Sequence, residues 1–158
     1  MERPDLDEVD YGILVALQED ARHNTNADIS ERLDVSASTI SKRIAELENA
    51  GVIQGYRPEI DYERTGFRME VLFHCTAPIT EREDIVEQTL AIEGVVNVRE
   101  LMTGRKNVTI RVVGTSKDDI TRVAHRLDEI GYAVADEILL RAEHSQPAVH
   151  FGSVANPE

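Results

Sequence analysis

The sequence predicts an α+β chain in two parts: an N-terminal three-helix unit and a C-terminal unit ordered strand, helix, strand, strand, helix, strand. Three observations carry this. Apolar residues recur at helical spacing through the first fifty residues, each run opened by a capping residue. From Phe67 the pattern switches between the period of two that marks a half-buried strand and the 3.6 period that marks a helix. Glycines 51, 94, 104 and 131 stand where the pattern changes.

Taken in order, Asp5 and Glu8 have N-cap and N3 spacing ahead of Val9, Ile13, Leu14 and Leu17, which predicts the first helix. Thr25 and Asp28 repeat the spacing before Ile29 and Leu33, and this short second helix stops at Asp34, a residue type that tolerates left-handed geometry. Ser36 caps a third helix with the apolar stripe Ile40, Ile44 and Leu47, ended by Gly51. Val52 to Tyr56 is rich in strand formers and is broken by Pro58, so it reads as a wing strand leading into a connector.

In the second part, Phe67, Met69, Val71, Phe73 and Cys75 alternate with Arg68, Glu70, Leu72 and His74 on one strand. A Thr80 to Glu83 capping box opens a helix with Ile85, Val86, Thr89 and Leu90 inward, and Gly94 precedes the strand VVNVRELM. Val108, Ile110 and Val112 mark the third strand, and Ser116 caps a helix with Ile120, Val123, Ala124, Leu127 and Ile130 on one stripe. The last strand is YAVADEILLRA, and the tail HSQPAVHFGSVANPE has no readable structure. This order is the ferredoxin-like split βαβ, an antiparallel sheet with both helices on one face. The opposite face carries Arg68, Glu70, Leu72, His74, Thr109, Arg111 and Val113, a mixture that suits a sheet-to-sheet dimer with cross-interface ion pairs; a solvated face in a monomer is the plainer alternative.

Composition narrows the function classes. With 41% hydrophobic and 30% charged residues the 158-residue chain is globular, no apolar run approaches the ~20 residues of a membrane span, and the N-terminus has no basic-then-apolar signal pattern, so a cytoplasmic address is expected. Cys75 is the one cysteine, and no Cys/His spacing suits zinc, so neither a disulfide nor a metal is expected. The net charge of −13, with only three lysines (Lys42, Lys106 and Lys117) among seventeen basic residues, suggests a halophilic cytoplasm, where carboxylates stay hydrated and a Debye length of about 3 Å screens their repulsion; an ordinary acidic mesophilic protein is the plainer alternative. No nucleophile, base and orienter can be assembled, so neither enzyme chemistry nor a cofactor is expected. Neighbours His74 and Cys75 point to opposite faces of a strand and cannot share a metal.

The stretch TNADISERLDVSASTISKRIAELENAGVI carries the functional signal. Two helices joined by a tight turn, the second small and polar at its outer N-terminal positions, is what entry into a DNA major groove requires. With Ile40, Ile44 and Leu47 inward, Ser38, Ser41, Lys42 and Ala45 face outward, flanked by Thr39 and Arg43. Residues 35–45 hold no acid, although the first fifty residues hold twelve acids against five bases. Ser36 serves first as N-cap and second as a phosphate contact. A hairpin used for protein contact is the alternative, but such surfaces favour aromatics and Met over hydroxyls.

On LDEVDYGILVALQEDAR, LDVSASTISKRIAELENAGVIQGY and the βαββαβ half, the chain resembles the Lrp/AsnC (feast/famine) regulators across roughly residues 5–144. The resemblance implies a winged helix-turn-helix DNA-binding domain at 1–57, a connector at 58–66, a ferredoxin-like effector and oligomerisation domain (the RAM domain) at 67–144, and a tail at 145–158. It further implies double-stranded DNA as partner, self-association through the sheet into dimers and up to tetramers or octamers, and a small-molecule effector such as an amino acid. Ser36, Ser38, Thr39, Ser41, Lys42 and Arg43 are the expected DNA-binding residues, and Thr103, Gly104, Arg105 and Asn107 the expected effector-binding residues. Two departures stand out. Asp34 replaces the turn glycine of the family, and TGRKN at 103–107 occupies the place of its Gly-x-x-Asp loop, with Asn107 for the carboxylate. That loop reads either as an anion site or as a plain hairpin turn. Siroheme decarboxylases resemble the same family, so an enzyme using His74, Arg99 and Arg111, or a metabolite sensor with a vestigial DNA head, are the alternatives.

Overall fold

The computed structural model describes residues 4–146, in two compact units: one reaches Pro58, the other is Glu59–Glu143. Residues 147–158, including His150 and most of the expected tail, lie outside the described residues.

The N-terminal unit is three helices, α1 (Glu8–Asp20), α2 (Asn26–Leu33) and α3 (Ala37–Asn49). The cap of α1 is Asp7, paired reciprocally with Asp10, rather than the expected Asp5 with Glu8; both pairs have the same spacing, and the later one lies next to the first apolar turn. Thr25 and Asp28 cap α2 as expected. Asp34 ends it at φ 54°, and is the sole non-glycine residue at positive φ among those described. Ser30 holds this turn: its hydroxyl donates to the Val35 carbonyl at 2.6 Å, and its own carbonyl accepts from the Val35 amide at 3.2 Å. Ile13, Ala16, Ile29, Ile40 and Leu47 form the buried centre, ringed by Leu6, Val9, Leu14, Leu17, Leu33, Val35, Ile44, Val52 and Ile53.

The expected wing strand is absent: no strand is formed between α3 and Met69. The amides of Val52 and Ile53 donate to the Leu47 carbonyl, at 2.9 and 3.2 Å, and their side chains join the helical core. A lone strand-forming run has no ladder without a second strand, and Pro58 supplies no N–H to start one.

The second unit is β1 (Met69–Thr76), α4 (Arg82–Leu90), β2 (Val95–Glu100), β3 (Val108–Gly114), α5 (Lys117–Glu129) and β4 (Ala133–Leu139). The strands form one antiparallel sheet in the order β2-β3-β1-β4, which is the ferredoxin-like arrangement. Phe73 lies opposite Ile110, and Val71 opposite Val112. These four and Cys75 and Val108 are buried against Ile85 of α4 and Ile120, Val123 and Leu127 of α5. Ser116 and Asp119 cap α5 as expected.

The start of α4 differs from expectation. A 3-10 turn at Ile79–Glu81 precedes the helix, and Glu81 stands at the N-cap without a side-chain cap, so Thr80 and Glu83 form no box. Thr89 is buried with Ile85, its hydroxyl donating to the Ile85 carbonyl at 2.7 Å and sharing a 3.0 Å hydrogen bond with the Tyr132 hydroxyl. Leu90, expected inward, is exposed because the helix ends there and the stripe is complete without it.

Candidate nucleic-acid interface

The Ser36 hydroxyl accepts the Thr39 amide at 3.2 Å and lies within 2.9 Å of the Ser38 and Thr39 hydroxyls, so three hydroxyls gather on the first turn of α3. With no acid in that turn, the unpaired amides and the positive end of the helix dipole favour an anion there. Ser38, Ser41, Lys42 and Ala45 are exposed, as expected. Lys42 Nζ lies 3.6 Å from Glu46, and both side chains are more than half exposed, a pair that adds little and leaves the ammonium available.

Arg43 departs from expectation. Its guanidinium turns back to the start of α1, with Nη2 2.8 Å from Asp7 and Nη1 3.1 Å from Asp10. The charges of Asp10 and then Asp7 hold it more firmly protonated than a free arginine. Asp7 is held below the ordinary carboxylate value, first by the Asp10 amide and further by Arg43. The sequence reading missed Asp10. Its signal was its place three residues before Ile13 and seven before Leu17, on the inward stripe, where an acid requires a buried cation partner.

Of the expected effector residues, three share an exposed loop and the fourth is buried. Thr103, Gly104 and Arg105 are exposed between β2 and β3, and the Arg105 carbonyl accepts the Thr76 hydroxyl at 2.7 Å. Asn107 lies in a different setting from the other three. It is buried, its Oδ1 accepts the Ala77 amide and its Nδ2 donates to the Ala77 carbonyl, both at 2.8 Å, so its polar atoms are used within the chain. Lys106 pairs with Asp136, which also lies 3.7 Å from His74 Nδ1. A separate groove of about 720 Å³, lined by the end of α4, the turn after it and α5, with Ile92, Arg122 and Arg126 among its residues, receives none of the loop residues.

On the sheet face away from the helices, Arg111 bonds Glu70 and lies 2.7 Å from Glu143, with its guanidinium 5.8 Å from the Tyr62 ring centre. Arg99 reaches Glu143 at 3.1 Å. Glu70 and Arg111, expected to pair across an interface, are thus paired within the chain, and Val113, expected to be open, is buried. Tyr62 and Glu143, which complete this network, lie outside any strand pattern and left no sequence signal.

Residues 6–54 match the winged helix-turn-helix DNA-binding family. An uncharacterized HTH-type transcriptional regulator of Pyrococcus furiosus is 31% identical over 121 residues, 75% of this chain and 78% of that protein. The leucine-responsive regulatory protein of Rhizobium meliloti is 35% identical over 82 residues, 52% of this chain and 51% of that one. The chain belongs to the HTH-type transcriptional regulators. The family fold extends over the described chain. A transcriptional regulator of Neisseria meningitidis solved with L-methionine superposes with a TM-score of 0.76 at 23% identity, over 92% of this chain and 96% of that one. AsnC of E. coli superposes at 0.72 and 19%, over 90% and 97%. As an HTH-type regulator with the fold of the Lrp and AsnC structures, the protein is a DNA-binding transcriptional regulator, and α2 and α3 are its helix-turn-helix. Among the described residues no helix is long and apolar enough to cross a membrane, and no group of three or more His, Cys, Asp or Glu side chains could hold a metal ion.

Proposed function

We propose that the protein reads a specific, roughly palindromic duplex site as a dimer or larger assembly, with α3 of each copy in a major groove and half-sites about one helical turn apart. Residues 1–57 serve as the reading head, 58–66 as connector, and 67–144 as the part that self-associates through its sheet face and senses a small molecule. Ser38, Ser41 and Lys42 reach base edges and phosphates, with Ser36 and Thr39 at the adjoining backbone. The observation that carries this reading is the first half of α3: hydroxyls and a lysine, free of acid, on a chain of net charge −13. An amino acid is the effector class best supported, since the Neisseria regulator was solved with L-methionine. The exposed loop Thr103 to Arg105, without Asn107, is the part of the expected effector set left available to it. The acidic surface suits work in concentrated salt in the cytoplasm, where binding leans on base contacts and DNA shape rather than on phosphate charge.

Footprinting on the DNA upstream of the protein's own coding region, in molar KCl and at lower salt, tests the reading. Protection over about two helical turns or a multiple, weakened by Lys42→Ala while circular dichroism stays native, is expected. No protection at any salt, with or without amino acids, would refute it.

A further inference from the structure

Arg43 lies in the acid-free stretch of α3 and, by charge alone, should face phosphate. Its guanidinium instead closes a clasp with two carboxylates of α1. Nη2 donates to Asp7 at 2.8 Å, and Nη1 reaches both oxygens of Asp10, at 3.3 and 3.1 Å. The Asp10 side chain is only 5% exposed and also accepts the Asp7 amide at 3.1 Å, so the clasp is continuous with the cap of α1. Turning Arg43 outward would leave a desolvated carboxylate without its cation, and a phosphate gained outside does nothing for Asp10.

The clasp also bears on aim. Arg43 follows Lys42 by about 100° around the helix and Ser41 by about 200°, so fixing its direction fixes theirs. Elsewhere α1 and α3 share the apolar cluster that holds Ile13, Ile40 and Leu47, contacts that select no hydrogen-bond direction. The fork of an arginine on two carboxylates is directional.

We propose that Arg43 is a positioning residue, locked by Asp7 and Asp10 so that Ser38, Ser41 and Lys42 meet the groove, and that it makes no phosphate contact itself. The proposal rests on α3 being the recognition helix.

The test is the salt dependence of binding, measured by fluorescence anisotropy on a labelled duplex from upstream of the protein's own coding region. Removing one ion pair between protein and phosphate lowers the slope of log Kd against log salt by about 0.9. Arg43→Gln is expected to weaken binding about tenfold or more with the slope unchanged, whereas Lys42→Ala lowers the slope by about one. Asp10→Asn, which loosens the clasp from the other side, is expected to weaken binding likewise without changing the slope. In the double variant Arg43→Gln with Asp10→Asn, two neutral amides can bond each other, and part of the lost affinity returns. A slope lowered by about one in Arg43→Gln, or tighter binding with a steeper slope in Asp10→Asn, would overturn the proposal by showing arginine on phosphate. Should Arg43→Gln melt below the assay temperature, the Asp10→Asn slope decides alone. Lys42→Ala leaving both affinity and slope unchanged would instead remove α3 as the reader.

Discussion

Asn107 stands where the family pattern led us to expect an effector ligand, and the structure gives it different work whose weight can be measured. Its amide clamps the backbone of Ala77, with both hydrogen bonds at 2.8 Å, and the two residues are 8% and 2% exposed. Asn107→Ala strips both bonds and leaves a buried N–H and a buried C=O unpartnered. At roughly 1–3 kcal/mol for each orphaned group, and taking the lower half because a site 8% exposed admits some water, the loss is about 3 kcal/mol. For a unit of this size each kcal/mol moves the midpoint by roughly 4–8 °C, so thermal melts should fall by about 12–24 °C. Asn107→Asp keeps the shape but sets a carboxylate oxygen against the Ala77 carbonyl. Protonation restores the donor, so the new carboxyl favours its neutral form when folded. The gap to the parent protein should therefore be small in acid and grow as pH rises through the folded-state pKa, while the gap for Asn107→Ala stays level. Melts of Asn107→Ala within about 2 °C of the parent, or an Asn107→Asp gap that widens in acid, would refute the clamp and return Asn107 to the effector set.

Asp119 is held well below the ordinary carboxylate value, first by the Thr115 hydroxyl, with further bonds from the Thr115 amide, Arg122 and the Ser116 amide. Its contribution is complete above the ordinary value and is lost as pH falls through the folded-state value, so Asp119→Asn should lower stability at neutral pH and flatten the acid limb in urea titrations; parallel curves would contradict this. Burial pushes the Cys75 thiol up to about 12, so it should react with a thiol reagent at pH 8 only as fast as the chain unfolds, and rapid reaction in native buffer would show the site to be open. Gly94 has φ 95°, and a Cβ there would sit 2.9 Å from the Val113 carbonyl oxygen, so Gly94→Ala should lose about 1–3 kcal/mol in chemical denaturation, against no change if the turn can adapt.

Much of the fold was legible because the signals were local and periodic. The Thr25, Ser36 and Ser116 caps, the left-handed Asp34 and the alternation along β1 and β3 each depend on residues within four positions of one another. What misled was a choice among equivalent local signals, as with Asp5 and Glu8 against Asp7 and Asp10, or a local signal lacking a distant partner, as with Val52 to Tyr56. Thr80 and Glu83 have the right spacing, but the chain leaves β1 through a 3-10 turn, and the helix starts too late to use them. The outward hydroxyls of α3 were readable from its apolar stripe alone. Arg43 and Asn107 were not, since their partners lie 33 and 30 residues away and polar pairing at that range has no period. In both cases a polar residue placed on a functional surface by sequence is taken up by partners within the chain.

Strand β4 is the last in the sheet order, and its outer edge offers a row of backbone donors and acceptors beside exposed Val134, Ile138 and Leu139. Between these stand Asp136 and Glu137, whose charges discourage a foreign strand from adding on. The guard is electrostatic rather than geometric, so it weakens once the carboxylates are protonated, which Asp136, held below the ordinary carboxylate value by its bond to Lys106, resists. Purification and storage therefore have a chemical window: strongly acid buffers should promote strand addition and fibrous aggregates.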